Sequence, residues 1–295
     1  MMGQTTSTTK GVGVSLTLKS SNAPKESTEI VKRGYCPCCR RRQFLGTALT
    51  TTLLPVFPAF ASDGDSNTPG DPMAELKRIR PPKPDWYEEL FASAMDKLTK
   101  PYEAEVAGYK SEILSNLRGK VGEVVEIGVG TGPNLKYYAD DPNVRVFGID
   151  PNKKMEKYAL AAAEAAGLPA SNFTFLQGVG EALPLKDSSA DAVVGTLVLC
   201  SVSDVDQTLQ EIRRVLKPGG VYVFIEHVAA RDGSFLRFLQ GFLDPLQQAV
   251  ADGCSLTRNT ASNIAAAGFA DVDVNQVVIS SAAFVNPHVY GIAHK

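Results

Sequence analysis

The string Glu126-Ile127-Gly128-Val129-Gly130-Thr131-Gly132 is the part of the sequence most plainly prepared for a ligand. Glycines at alternate positions let a chain turn sharply and bring its backbone against a bound group where a side chain would collide. Asp150 stands 22 residues beyond Gly128, at the end of a second apolar run. A carboxylate there can accept both hydroxyls of a ribose, so the chemistry prepared is nucleoside binding. The same residues would also serve a tight strand-to-helix turn with a solvated aspartate. The buried run before the glycines and the helical segment after them favour the ligand. A dinucleotide site wants a further glycine where Pro133 stands.

Such a site needs a parallel sheet beneath it, and the chain from Val121 onward has the pattern of one. Short apolar runs at Val124 to Ile127, Val144 to Ile149, Phe173 to Gln177, Ala192 to Leu197 and Val221 to Ile225 predict buried strands. Helical segments alternate with them near Asn134 to Tyr138, Lys153 to Ala166 and Val205 to Leu216, the last stopped by Lys217-Pro218-Gly219-Gly220. A longer helical stretch, Ser234 to Ala251, and a helix from Thr257 to Ala267 lead to two more strands, Val272 to Ile279 and His288 to Ala293, whose short connection allows only antiparallel pairing. Two amphipathic helices precede the first strand, carried by Trp86, Leu90, Phe91, Met95 and Leu98, then by Tyr109, Ile113, Leu114 and Leu117. The fold class is therefore α/β, with ligands expected outside the carboxyl ends of the strands.

The spacing E-x-G-x-G-x-G resembles the first motif of class I S-adenosylmethionine (SAM) methyltransferases, whose Rossmann-like fold has a mostly parallel seven-stranded sheet, helices on both faces and a C-terminal antiparallel strand. Asp187-Ser188-Ser189-Ala190-Asp191 before the fourth strand and Arg213 to Gly220 before the fifth are similar to that family too. The resemblance implies SAM as cofactor, with Glu126 shaping the site, Gly128 and Gly130 beside the methionine portion, Gly132 among the cofactor-binding residues, and Asp150 on the ribose. Val179, in Gly178-Val179-Gly180-Glu181, stands where many quinone-pathway relatives place an Asp. Adenine is then left to backbone groups near Gly180 and Glu181.

A narrower resemblance lies in the second half. Thr196 to Val202, Glu226 to Ala230, Leu243-Asp244-Pro245, Asp252 to Arg258 and Pro287 to Gly291 resemble the methyltransferase-like-seven family, whose animal members are alkyl thiol S-methyltransferases. This implies a small apolar thiol as acceptor, with an O- or C-methyltransferase of phenols or quinones, or a non-catalytic SAM-binding module, as alternatives. A thiol reacts as its thiolate, so a base is expected near the ends of strands four and five. The candidates are His227 and Asp244. The first also suits a strand-end imidazole bonded to a loop, and the second a helix cap or turn. Cys200 is expected against the methyl group, although a buried cysteine also suits plain packing. Cys254 and His288 are read as structural, Trp86 and Phe91 as core, and no metal is assigned.

Of the 295 residues, 44% are hydrophobic and 21% charged, which excludes a disordered chain. Residues 1–61 hold 8 Lys/Arg against 2 Asp/Glu, and the remainder 22 against 30. That acidic body argues against a nucleic-acid partner. A monomer acting on a small molecule is expected. Residues 1–61 read as a chloroplast transit peptide, Ser/Thr-rich and poor in acids, followed by a twin-arginine signal at Arg41-Arg42 that ends in Ala59-Phe60-Ala61, an address for the thylakoid lumen with the stroma as alternative. The apolar stretch from Phe44 is interrupted by Thr50 to Thr52, Pro55 and Pro58, against the roughly 20 apolar residues of a spanning helix. No span is expected in the mature chain, although peripheral membrane contact is compatible with it. Cys36, Cys38 and Cys39 lack a second pair at finger spacing and read as inert. Residues 62–84 read as a linker and 85–295 as the domain.

Overall fold

A computed structural model describes residues 71–119, 122–138 and 143–295. The leader, with its arginine pair and its three cysteines, lies outside the described residues, as does the first part of the expected linker.

Seven strands form one sheet: β1 (Glu123–Ile127), β2 (Arg145–Asp150), β3 (Phe173–Gln177), β4 (Ala190–Thr196), β5 (Leu216–His227), β6 (Asp271–Val277) and β7 (His288–His294). Their order is β3-β2-β1-β4-β5-β7-β6. The strands β1 to β5 pair in parallel, while β7 runs antiparallel to both β5 and β6. The expected fold class and strand count are found. Strand order reverses between β1 and β4, which opens a crevice above their carboxyl ends. The strands are apolar on both faces because each face is packed: Val124, Val146 and Val194 belong to one buried cluster, Val125, Ile127 and Val193 to the other.

The helices are α1 (Pro72–Ile79), α2 (Asp85–Leu98), α3 (Lys100–Leu114), α4 (Glu156–Ala165), α5 (Val205–Val215), α6 (Phe235–Val250) and α7 (Thr260–Ala266). On α5, Leu209, Ile212 and Val215 are buried, and Asp204 caps its start by accepting from the Gln207 amide at 2.9 Å. Among the described residues no helix is long and apolar enough to cross a membrane.

Three expectations are corrected. The described part of the linker holds α1. Its Asp71-Pro72 pair is a cap followed by proline at the first helical position, and Asp71 accepts from the Met73 amide at 3.0 Å. Lys217 to Gly220 do follow a helix end, but they belong to β5, which begins at Leu216 beside a register shift against β4. The apolar stripe of α2 is not core: Trp86, Leu90 and Leu98 are exposed, while Phe91, Met95 and Leu98 line a cavity.

Candidate active site

That cavity, of about 720 Å³, lies over the carboxyl ends of β1, β2, β4 and β5. Adjacent strands are about 4.8 Å apart, so the β2 side and the β5 side are separated by roughly 14 Å. This is room for a nucleoside at one end and an acceptor at the other.

On the β2 side, Gly128 and Gly130 have φ of +60° and +52°, a region that favours glycine. A Cβ on Gly128 would lie 2.5 Å from the Val198 side chain. The Gly130 amide donates to Asp150 Oδ2 at 3.0 Å and the Asn152 amide to Oδ1 at 2.8 Å, so the carboxylate both closes the glycine loop and faces the cavity. Burial raises the Asp150 carboxyl to about 6 against the pull of those two amides. The cradle and the buried carboxylate fit the nucleoside of SAM.

Glu126 does not line the cavity. It is buried behind the loop, where it accepts from Asn134 Nδ2 at 2.8 Å and from the Tyr138 hydroxyl, and Asn134 Nδ2 also donates to Thr196 Oγ1 at 3.0 Å. It shapes the site by tying the ends of β1 and β4 together. Gly132 is likewise absent from the lining. A Cβ there would lie 2.8 Å from Ala162, so its part is close packing on α4. Gly180 and Glu181 line the cavity beside Val179. The Glu181 carbonyl, among the backbone groups expected near adenine, accepts from Gln207 Nε2 at 2.9 Å, and its carboxylate accepts from the Ser203 amide at 2.6 Å. Glu181 therefore organises the wall.

On the β5 side, Cys200, His227 and Cys254 all line the cavity and are buried. His227 Nε2 lies 3.1 Å from Cys254 Sγ. Among the described residues its Nδ1 has no hydrogen-bond partner, nor has Nε2 of His288, whose ring stands 6.3 Å away. The Cys254 thiol is pulled below the ordinary range by the Cys200 hydrogen bond and then by His227; Cys200 is pushed up by the same pair interaction and by burial. Glu226 Oε1 accepts the Val198 and Leu199 amides at 3.0 Å each, which fixes the loop that carries Cys200.

Asp244 is placed elsewhere. It lies within α6, outside the cavity lining, and its carboxylate accepts from the Leu256 amide and from Gln248 Nε2 at 2.7 Å. Its geometry is that of a turn-holding residue, not of a base facing the acceptor. Several lining residues escaped the sequence reading. Arg80 joins Asp252 at 3.0 Å and Glu88 at 2.8 Å, and Lys83 also joins Asp252, so the segment after α1 reaches across to the loop after α6. No spacing in the sequence signals that meeting. Phe91, set aside as core, lines the cavity, whereas Trp86 does not.

Residues 125–224 match the family model described as a methyltransferase domain. Over 215 residues the chain is 38% identical to thiol S-methyltransferase TMT1A of Homo sapiens and 37% identical to its TMT1B, each match covering 70% of this chain and 87% of the relative. Among solved structures, a SAM-dependent methyltransferase of Thermotoga maritima superposes with a TM-score of 0.51 at 20% identity, covering 71% of this chain and 99% of that one. At that identity the structural likeness shows the fold alone. The sequence likeness, long and covering most of each partner, shows the family: the chain belongs to the class I SAM-dependent methyltransferases, in the family that contains the thiol S-methyltransferases.

Proposed function

We propose that the chain transfers the methyl group of SAM to the sulfur of a small apolar thiol. The observation that carries this is one cavity uniting the Gly128 and Asp150 cradle with a second end held by Cys200 and His227 and apolar walls from Phe91, Met95 and Leu98. The 38% identity to a human thiol S-methyltransferase supports the same acceptor.

SAM supplies a methyl group already activated on a sulfonium. What remains for the protein is to align and desolvate, and orientation of two bound reactants contributes up to about 7–11 kcal/mol. Asp150 fixes the nucleoside and the glycines admit it. The acceptor sulfur must be a thiolate, and a free thiol titrates near about 8.5. His227 is the imidazole among the cavity-lining residues, so loss of the thiol's proton is assigned to its end of the cavity.

The test is incubation of the full chain with deuteromethyl SAM and a panel of thiophenol, phenol and a quinol. Labelled methyl thioether is expected. Exclusive labelling of the phenol or the quinol would replace the thiol with an oxygen or carbon acceptor, and tight SAM binding without transfer to any of them would leave a binding module.

Peripheral membrane contact belongs to the same proposal. Phe235, Phe238, Phe242, Leu246 and Val250 recur along α6 and are all more than half exposed, and Val250 also lines the cavity. An apolar acceptor dissolved in lipid would reach the site along that face. Flotation with lipid vesicles should be weakened by Phe238→Ser with Phe242→Ser; unchanged flotation would remove the contact. For residues 1–61 the proposal is the two-part address to the thylakoid lumen, resting on their composition and on Arg41-Arg42. Import into isolated chloroplasts followed by fractionation separates lumen from stroma.

A further inference from the structure

Cys200 and Cys254 are the cysteines among the described residues, and both reach the point occupied by His227. The three residues come from three separate places: the loop after β4, the end of β5 and the loop after α6. Cys200 Sγ, a ring nitrogen of His227 and Cys254 Sγ all lie within 4.8 Å of one another, and each residue is buried. No acidic side chain belongs to the set.

The backbone holds this convergence in place. The Ser255 amide donates to the Cys200 carbonyl at 2.9 Å, and the Cys254 amide to that of Ala251 at 3.1 Å. Arg258 Nη1 donates to the Leu199 carbonyl at 2.8 Å and to that of Val202 at 2.5 Å. Gly253, at φ +91°, is packed so that a Cβ would stand 3.2 Å from the Ser201 carbonyl oxygen. The loop that carries Cys254 is thus pinned against the loop that carries Cys200.

We propose that Cys200, His227 and Cys254 bind a zinc ion whose fourth coordination position opens into the cavity and takes the sulfur of the acceptor thiol. Two thiolates and an imidazole are a soft donor set that suits zinc, and three protein ligands with one open position are the arrangement of catalytic zinc. Zn–S and Zn–N bonds of about 2.3 and 2.0 Å place tetrahedral ligand atoms about 3.5 to 3.8 Å apart. The observed span lies close enough for side-chain adjustment alone to complete the site.

This inference rests on the thiol-methylation reading and changes one part of it: the cation, with His227 as its ligand, makes the thiolate. The acceptor sulfur binds zinc, its S–H bond breaks and the proton leaves to solvent. The sulfur then forms its bond to the donor methyl as the methyl's bond to the sulfonium breaks, the electron pair staying on the donor sulfur. The neutral thioether, a poorer ligand, leaves the metal.

The test uses the full chain with Cys36→Ser, Cys38→Ser and Cys39→Ser, so that those cysteines contribute nothing. The reduced, metal-stripped protein is titrated anaerobically with Co²⁺. Expected are one equivalent bound, thiolate-to-cobalt charge transfer and the intense visible bands of four-coordinate cobalt, all displaced by Zn²⁺. Cys254→Ser should lose charge-transfer intensity while still binding S-adenosylhomocysteine, which shows that it is folded. Thiophenol should add a thiolate band that its methyl thioether does not. Absence of a cobalt–thiolate band in protein that binds S-adenosylhomocysteine overturns the proposal, as does a band that survives both Cys200→Ser and Cys254→Ser. Thiol methylation by the stripped protein would overturn the zinc and leave the acceptor standing; metal binding without thiol methylation would do the reverse.

Discussion

His227 Nε2 lies 3.1 Å from Cys254 Sγ, and this contact joins the last residue of β5 to a loop on the far side of α6. It puts an imidazole and a thiol into the same buried wall that Cys200 completes. The end of the cavity proposed for the acceptor is therefore built from residues that a strand end and two different loops have to deliver.

His227→Ala should lower the rate of transfer by about 10² to 10⁴-fold, with near-normal affinity for S-adenosylhomocysteine and the largest loss below the acceptor's pKa. Asp244→Asn should behave differently. Weakening its hold on the Leu256 amide should cost about 1 kcal/mol of stability in urea unfolding and leave the pH–rate profile unchanged. A shifted profile in Asp244→Asn would restore it as a base.

Asp150 should make cofactor binding pH-dependent. Its carboxyl is raised by burial to about 6, and in the proposed role it is the ionised form that would accept two ribose hydroxyls. Calorimetric affinity for S-adenosylhomocysteine should fall as pH drops through that value. Asp150→Asn should abolish this dependence and weaken binding at neutral pH by at least about tenfold, since a hydrogen bond to a charged group contributes about 1.5 to 3 kcal/mol. Unchanged affinity would misplace the ribose.

Gly128→Ala should cost more than Gly167→Ala, although both have positive φ. A Cβ at Gly167 meets nothing within 4 Å, whereas at Gly128 it meets Val198 at 2.5 Å. The expected excess is about 1 to 3 kcal/mol by thermal unfolding, relieved in part by Val198→Ala. Equal losses at the two positions would mean that the close approach is tolerated.

Burial raises the Glu126 carboxyl to about 7, against the hydrogen bonds from Tyr138 and Asn134. The folded state holds its proton where the unfolded chain releases it, so its contribution is full below the ordinary carboxyl range. That contribution is lost as pH rises through about 7. Urea unfolding at about pH 5 and about pH 8 should show a loss of roughly 2.5 kcal/mol that Glu126→Gln lacks. An identical slope in the variant would assign the dependence to other buried acids.

The strands were legible in the sequence because each is a short apolar run between turn signals, and the nucleoside end because it is local. Gly128, Gly130 and Asp150 belong to two consecutive strand ends whose place in a parallel sheet follows from the alternation alone. The short connection between the last two strands announced their antiparallel pairing. Helix α1 lies in the stretch read as a linker, because proline and aspartate suit a connector as well as a helix start; here Asp71 caps the helix and Leu76 is buried. The stripe of α2 was misread for a similar reason: helical spacing shows that Phe91 and Met95 share a face, not whether that face meets a core or a cavity. Asp244 turned out to be bound to its near neighbours Gln248 and Leu256, whereas Cys254 gained importance from His227, 27 residues away. What the sequence determined by itself was the sheet and the cradle, whose parts are neighbours in sequence. Only the tertiary structure decided the meeting of Cys200, His227 and Cys254 and the bridging of Arg80 to Asp252, because contacts between distant loops depend on how strands and helices pack, and no local period encodes that.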